Sequence, residues 1–526
     1  MKEKMSDHIH FCNRILVGLL PAFMLTSGWA QTPAGGAAAP AGAVGRTAAS
    51  ARRHRATPAL PVAYADGRLT YTPDELGNRV PDFSYCGYEQ GDVPIPEVPI
   101  RAVVAPSAGD ATARIQAAID YVSGLTPDAS GFRGAVLLEK GTFPVSGSLV
   151  LRSSGVVLRG SGRETVLEAT GLDRRTLVRI LGRDDRVIEP FAAVSSAYVP
   201  VGAATFTAPG SFAPGDRVLV CRPSTAAWIQ ALGTDHFGGG ITALAWKPGQ
   251  RDVYWDRRVV AAAGGRVTLD VPLTTALDSA FGGGLIARYR WPGRITRVGV
   301  ENLRCISDVD PLNAKDEAHC WTGVSFENVR DAWVRRIDFE HFAGSAVEVL
   351  SSASRVTVED CRSLHPVGEI GGQRRNTFFT EGGQTLFHRL YAENGYHDFG
   401  TGFCAPGPNA FVDCDDLHPY SFSGGLDSWA SGVLLDVLRI DGQLLGFFNR
   451  EQDGQGAGWN AANSLLWNCS ASMIDCYQAP TAQNWSFGSW GQFRGDGYWS
   501  ESNSTIPPRS LYSAQLSQRL GHPVDG

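Results

Sequence analysis

From residue 300 onward the chain repeats a short phrase: an apolar residue, any residue, Asn or Asp, then Leu, Val or Cys. It reads Val300-Glu-Asn-Leu303, Phe326-Glu-Asn-Val329, Val358-Glu-Asp-Cys361, Phe411-Val-Asp-Cys414, Leu434-Leu-Asp-Val437 and Leu466-Trp-Asn-Cys469. Phe387-His-Arg-Leu390 is a variant with Arg in the third place. The closing residues of successive phrases lie 23 to 32 positions apart. Between them run short alternations of apolar and polar residues broken by Gly, Ser, Asn or Asp, the period of strands rather than helices. A unit of this size cannot bury its apolar face alone, so the units must stack. The pattern therefore predicts an all-β fold, a right-handed parallel β-helix built as a single-stranded solenoid. A sandwich or propeller would not require a polar residue at one place in every unit.

Stacking also makes a statement about thiols. Cys361, Cys414 and Cys469 share one inward position in alternate coils. Coils ~4.8 Å apart place them roughly 10 Å from one another, beyond the ~7 Å Cα limit for a disulfide. They are expected to be unbridged to each other, as small hydrophobes. Cys469–Cys476 and Cys404–Cys414 stay open as local pairs.

Upstream, Asp110-Ala-Thr-Ala-Arg-Ile-Gln-Ala-Ala-Ile-Asp-Tyr-Val122 predicts a capped amphipathic helix with Ile115, Ile119 and Val122 on one side. The strands Gly134-Ala-Val-Leu-Leu138, Gly141-Thr-Phe143 and Gly155-Val-Val-Leu-Arg-Gly-Ser-Gly162 follow it. This order, with the downstream repeats, resembles the N-terminal cap and coils of the secreted pectate-lyase superfamily, in its rhamnogalacturonase/epimerase-like branch. The resemblance covers roughly residues 100–180 and 293–490. It implies the β-helix fold and an action on polysaccharide. The polygalacturonase set (Asn-Thr-Asp, Asp-Asp, Gly-His-Gly) is reduced to Asp415-Asp416, and the Arg-x-Pro-x-x-Arg of calcium pectate lyases is missing. Neither of those pectin activities carries over.

The remaining chain divides around this frame. Residues 1–30 read as a signal peptide, with Lys2, Lys4 and Arg14 before an apolar run from Ile15 to Leu25 and a small-residue site at Gly28-Trp29-Ala30. The run is too short for a membrane span, and no later stretch of the chain offers one. The expectation is export to the periplasm or medium. An Ala/Gly/Pro linker occupies 31–62, the N-terminal cap and first coils 63–184, an inserted small β-subdomain 185–292, the main coils 293–490, and a C-terminal capping segment 491–526. Trp228, Trp246 and Trp255 in the insert are read either as its own core or as a sugar-stacking wall. Net charge is −6, and removal of the signal makes it about −7, so no global field attracts nucleic acid.

No P-loop, dinucleotide fingerprint, HExxH or GxSxG is present. Polar chemistry concentrates between about 365 and 460. Six histidines (His319, His341, His365, His388, His397, His418) fall at intervals that begin near one coil. Arg374, Arg375 and Arg389 could clamp a carboxylate by forked hydrogen bonds. Tyr396-His397-Asp398 sets a phenol, an imidazole and a carboxylate in sequence. These types suit β-elimination on a uronic acid, which needs a base, neutralisation of the enolate dianion and a proton for the leaving oxygen. In that reading His397 is the base, Tyr396 the acid, Arg374, Arg375 and Arg389 the clamp, and Asp398 orients the imidazole. Tyr391, His388, Trp429, Trp459 and Asp427 are expected to bind substrate. Asp413, Asp415 and Asp416 are hard oxygen ligands that suit Ca²⁺ as the candidate cofactor. Paired carboxylates also serve glycosidases. The expected function is a polysaccharide lyase acting on an acidic glycan, with a glycoside hydrolase and a non-catalytic glycan-binding protein as alternatives.

Overall fold

A computed structural model describes residues 60–524. The predicted signal peptide and all but the last residues of the linker lie outside the described residues. A continuous parallel sheet system of 28 strands winds through the chain as a right-handed β-helix. Each coil contributes to three faces. Sheet A carries, among others, Gly134–Leu138, Val156–Gly160, Ser354–Glu359, Leu386–His388, Pro406–Val412 and Ala430–Asp436. Sheet B carries Arg362–Leu364, Tyr391–Glu393 and Asp415–Leu417. Sheet C carries Thr176–Leu181, Thr322–Glu327, Val347–Val349, Asn376–Thr380, His397–Thr401 and Ser423–Gly425. Pairing continues as far as Tyr498–Ser500, past the expected end of the coils.

The repeated phrase is the corner between sheets A and B. Asn302, Arg336, Asp360, Arg389, Asp413, Val437 and Asn468 stand at that corner in successive coils, all at φ between 50° and 60°. Asn and Asp tolerate this left-handed conformation better than other side chains, which is why one polar residue recurs. Two phrases were misaligned. Asn328 turns a different corner, from sheet C to sheet A, and Leu435 rather than Leu434 aligns with Phe411. Val437 therefore takes the corner that Asp436 was assigned. The next corner, between B and C, places His341, His365, Asn394 and His418 at φ from 50° to 70°, so three of the recurrent histidines are turn residues.

The residue after the A–B corner always points inward. Leu303, Ile337, Cys361, Leu390, Cys414, Leu438 and Cys469 form one buried column. Leucines separate the three thiols, and all nine described cysteines are unbridged. Phe387 stacks on Phe411 with centroids 4.6 Å apart beside this column.

The ends and flanks are covered. Helix Thr112–Gly124 buries Ile115, Ile119 and Val122 over the first coil, and Asp110 accepts from the Thr112 N–H at 3.1 Å. Residues of the 62–98 segment and the C-terminal helix Leu511–Leu520 cover the outer face of sheet A, packing Phe83, Leu511 and Leu516 against Val412, Leu434 and Leu465. Residues between Val187 and Arg290 form a separate antiparallel sheet around the long strand Val253–Ala263. Trp228, Trp246 and Trp255 are buried in its core, which packs on Cys404, Trp429 and Ala462 of the coils. The outer face of sheet C carries a row of partly exposed acids.

Candidate active site

Two of the sequence-predicted residues stand together on sheet C. His397 opens its strand with the ring buried between Tyr396 and Phe422, at centroid distances of 4.5 Å and 4.4 Å. Its Nδ1 lies 2.6 Å from the Phe422 carbonyl oxygen. That contact puts the proton on Nδ1 and leaves a lone pair on Nε2. Burial, with a smaller contribution from the Arg450 charge, lowers its pKa to about 4, so the imidazole is neutral near pH 7. Tyr396 is half-buried beside it, and Arg450 lies over the Phe422 ring at 5.0 Å.

The other members of the predicted set do not join them. Arg374 forks onto Glu317 at 2.5 Å and 3.0 Å. Arg375 donates to the carbonyls of Asn394 at 3.0 Å and Gly368 at 2.8 Å. Arg389 sits at the A–B corner, forked onto Asp360 at 2.6 Å and 2.9 Å. His388, on sheet A beside it, is pushed down to about 4 by burial and then by the Arg389 charge. Tyr391 on sheet B donates to Glu393 at 3.1 Å. Asp398 does not orient the imidazole: it is fully buried, accepts from Thr377 Oγ1 at 2.5 Å, and pairs with Asp416. Trp429 is buried under the insert, edge-on to Trp228 at 4.8 Å. Trp459 donates from Nε1 to the Leu232 carbonyl at 3.1 Å.

The candidate Ca²⁺ ligands diverge. Asp413 at the corner binds Arg509 at 2.6 Å, Asp415 points outward onto Arg439 at 2.6 Å, and Asp416 turns inward. Consecutive strand residues face opposite sides, so Asp415 and Asp416 cannot share an ion. Among the described residues no group of three or more His, Cys, Asp and Glu side chains is placed to hold a metal. The donor set does not fit the ion proposed for it.

What sheet C gathers instead is a row of carboxylates. Val347 and Val349 point into the core, so Glu348 between them points out. Phe378 and Thr380 point in on the next strand, so Phe379 and Glu381 point out. Glu327 ends the preceding strand on the same side, and Asp427 follows Ser423–Gly425. Glu348 and Glu381 have no hydrogen-bond or ion-pair partner among the described residues. Burial raises the Glu381 carboxyl to about 7, helped by the charges of Glu348 and Asp427. Burial and the Glu327 charge raise Glu348 as well. Asp427 is raised by burial, but it accepts from the Ser428 N–H at 2.9 Å and Oγ at 3.2 Å and feels Arg251 and Arg450. Raised carboxyls with no protein partner are suited to moving protons onto a bound molecule.

Beside this row the outward positions become glycines that are themselves buried. The outward column passes from Ser325 through Glu348 and Phe379 to Gly400, Gly424 and Gly446. At Gly424, with φ +129°, a Cβ would lie 2.4 Å from the Gly446 carbonyl oxygen, so only glycine fits. Tyr396 and His397 lie at the start of these strands and the carboxylates at their end. The Arg450 charge is felt both by Asp427 and by His397. Sequence reading found Asp427, Tyr396 and His397 but missed Glu348 and Glu381. The signal for Glu348 was an acid flanked by inward apolar residues, Val347 and Val349, whereas Glu381, between Thr380 and Gly382, carried none.

No family model and no curated protein matches the chain. Among solved structures, the tailspike protein gp49 of Pseudomonas phage LKA1 is 15% identical with a TM-score of 0.42, over 73% of this chain and 56% of that one. The alginate lyase of Paenibacillus sp. str. FPU-7 is 8% identical with a TM-score of 0.33, over 77% and 99%. The A-module of the Azotobacter vinelandii mannuronan C-5 epimerase AlgE6 is 11% identical with a TM-score of 0.30, over 76% and 96%. This chain thus spans little more than half the length of the tailspike.

Proposed function

We propose that the chain is a carbohydrate-active enzyme and that the carboxylate row on sheet C cleaves a glycan by hydrolysis. Glu381 is the general acid, because it is still protonated near neutral pH. Asp427, held by two hydrogen bonds and faced by Arg251 and Arg450, is the ionised partner. Glu348 supplies the negative charge that helps keep the proton on Glu381. The partly exposed Phe379 ring offers a platform for a sugar ring. The observation that carries this reading is the pair Glu348 and Glu381, adjacent on one face and unneutralised. A row of acids also repels a polyuronate at this point, which favours a neutral sugar at the cleaved bond. Export of the protein, read from residues 1–30, belongs to the same proposal.

A second reading rests on the other end of the same strands. A neutral His397 with a free Nε2, a Tyr396 without a hydrogen-bond partner and the nearby Arg450 charge are the parts of an eliminase. One assay separates the two. The protein is incubated with a panel of neutral and acidic polysaccharides, following reducing ends together with ultraviolet absorbance of a new C4=C5 double bond. Reducing ends without absorbance, abolished in Glu381→Gln, is the result expected. Rising absorbance that survives Glu381→Gln and is lost in His397→Ala would overturn hydrolysis in favour of elimination.

A further inference from the structure

The junction between the insert and the coil strands Ile295–Ser307 and Val329–Glu340 forms an open cavity of about 770 Å³. It shares no lining residue with the carboxylate row. Five arginines, Arg217, Arg288, Arg290, Arg294 and Arg330, line it against two acids, Glu189 and Asp216. Some of this charge is already matched. Arg288 donates to Glu189 at 3.0 Å, and Arg294 binds the buried Asp256. Two lining guanidiniums are unmatched, and a third is matched only by a long ion pair. Arg217 and Arg290 are exposed and have no hydrogen-bond or ion-pair partner among the described residues. Arg330 is 5% exposed, and its Nε and Nη1 lack any hydrogen-bond partner. Its ion-pair partner among the described residues, the Asp331 carboxylate at 3.8 Å, is shared with Arg355 at 2.6 Å. Arg186, also unpaired, extends the positive wall over the Trp291 ring at 4.6 Å.

A guanidinium withdrawn from water with too few acceptors is costly. A fold that keeps Arg330 so, facing a cavity of small-molecule size, is matched to an anion that supplies the missing acceptors. We infer that this cavity is a second binding site, for an anionic sugar residue whose carboxylate or sulfate oxygens accept from Arg330, Arg217 and Arg290. The anion follows from the cavity alone. That a sugar carries it rests on the glycan reading proposed above. The two sites together describe an acidic heteroglycan, gripped by its charged residues here and cleaved at an uncharged one on sheet C.

The test is calorimetric titration of the full chain with D-glucuronate, glucose 6-sulfate, glucose and inorganic sulfate. Saturable binding of an anionic sugar, with none of glucose, is expected, and the glucuronate and 6-sulfate arms identify which anion is preferred. Binding should weaken at least tenfold in Arg217→Ala/Arg290→Ala, whose exposed side chains leave the fold intact, and further in Arg330→Met. Glu381→Gln should leave it unchanged. Inorganic sulfate binding as tightly as either sugar would overturn the sugar assignment while sparing the anion site. No saturable anion binding, or unchanged affinity in the double variant, would overturn the site itself.

Discussion

Sheets A and C both carry acids on their outer faces, and the two faces treat them oppositely. On sheet A, Glu301 is wholly buried beneath the N-terminal segment. Burial alone would raise its carboxyl. Arg335 at 2.6 Å, Arg159 at 2.5 Å and Trp333 Nε1 at 3.0 Å overcome that and hold it below the usual carboxylate range. On sheet C, Glu381 is less buried and has no partner, and its carboxyl rises to about 7. Burial acts on both, so burial is not what separates them. The difference is whether the fold supplies a counter-charge, and a fold that supplies two arginines to one glutamate and none to another separates structure from chemistry.

The sharpest way to break this contrast is to neutralise each acid. Glu381→Gln should cut glycan cleavage by roughly 10²- to 10⁴-fold, the contribution typical of a general acid, without lowering the melting temperature. Glu301→Gln should do the reverse. It removes the buried counter-charge of Arg159 and Arg335 and leaves them only the exposed Glu97, at 2.6 Å and 3.8 Å, a loss of about 3 kcal/mol visible in thermal melts, while activity per folded molecule stays the same. If instead Glu301→Gln abolished turnover at full stability, the division of labour between the faces would be wrong.

The coils were legible in the sequence because two local demands repeat in every unit: an inward apolar residue and a left-handed corner. The register slipped where one demand was met by an unexpected residue. At Leu434-Leu-Asp-Val437 the corner is taken by Val437 at φ 60°, a conformation a β-branched side chain rarely adopts, and the aspartate beside it drew the alignment one residue early. The site was less legible for a different reason. Arg374, Arg375, Arg389, Tyr396, His397 and Asp398 are close along the chain, but one turn of the coil distributes them over different corners. Glu348, Glu381 and Asp427 come from separate coils, and only stacking brings them together. Periodicity reveals what each coil repeats. A site assembled from what successive coils do differently leaves no periodic trace.

The contrast also predicts a pH profile. Glu381 must hold its proton to act, so activity should fall as pH rises through about 7. Glu348 is one of the charges that lifts it. Glu348→Gln should therefore move the alkaline limb to lower pH by on the order of one unit, measured as kcat/KM against pH. A limb that stays in place would mean that burial and the Asp427 charge set the Glu381 pKa without Glu348.

The smallest effect concerns an acid on sheet A, Asp436, that behaves like those on sheet C. Asp436 is fully buried and accepts from Ser510 Oγ at 2.7 Å and the Tyr512 N–H at 2.8 Å, at the start of the C-terminal helix. Burial outweighs these bonds and lifts its pKa to about 7. A raised pKa thus does not by itself mark a catalytic acid. The carboxyl here is sealed under a helix, with nothing to protonate. Its consequence is for stability. From about pH 4, where the unfolded carboxyl loses its proton, up to about 7, the folded state holds the extra proton, so stability declines as pH rises across that window. Asp436→Asn keeps an acceptor for the helix and cannot ionise, so it should remove that decline, making stability at pH 8 relative to pH 4 greater than in the parent. Denaturant unfolding at the two pH values reads the difference. Turnover should not change, and a loss of turnover in this variant would place catalysis on the face that the fold has closed.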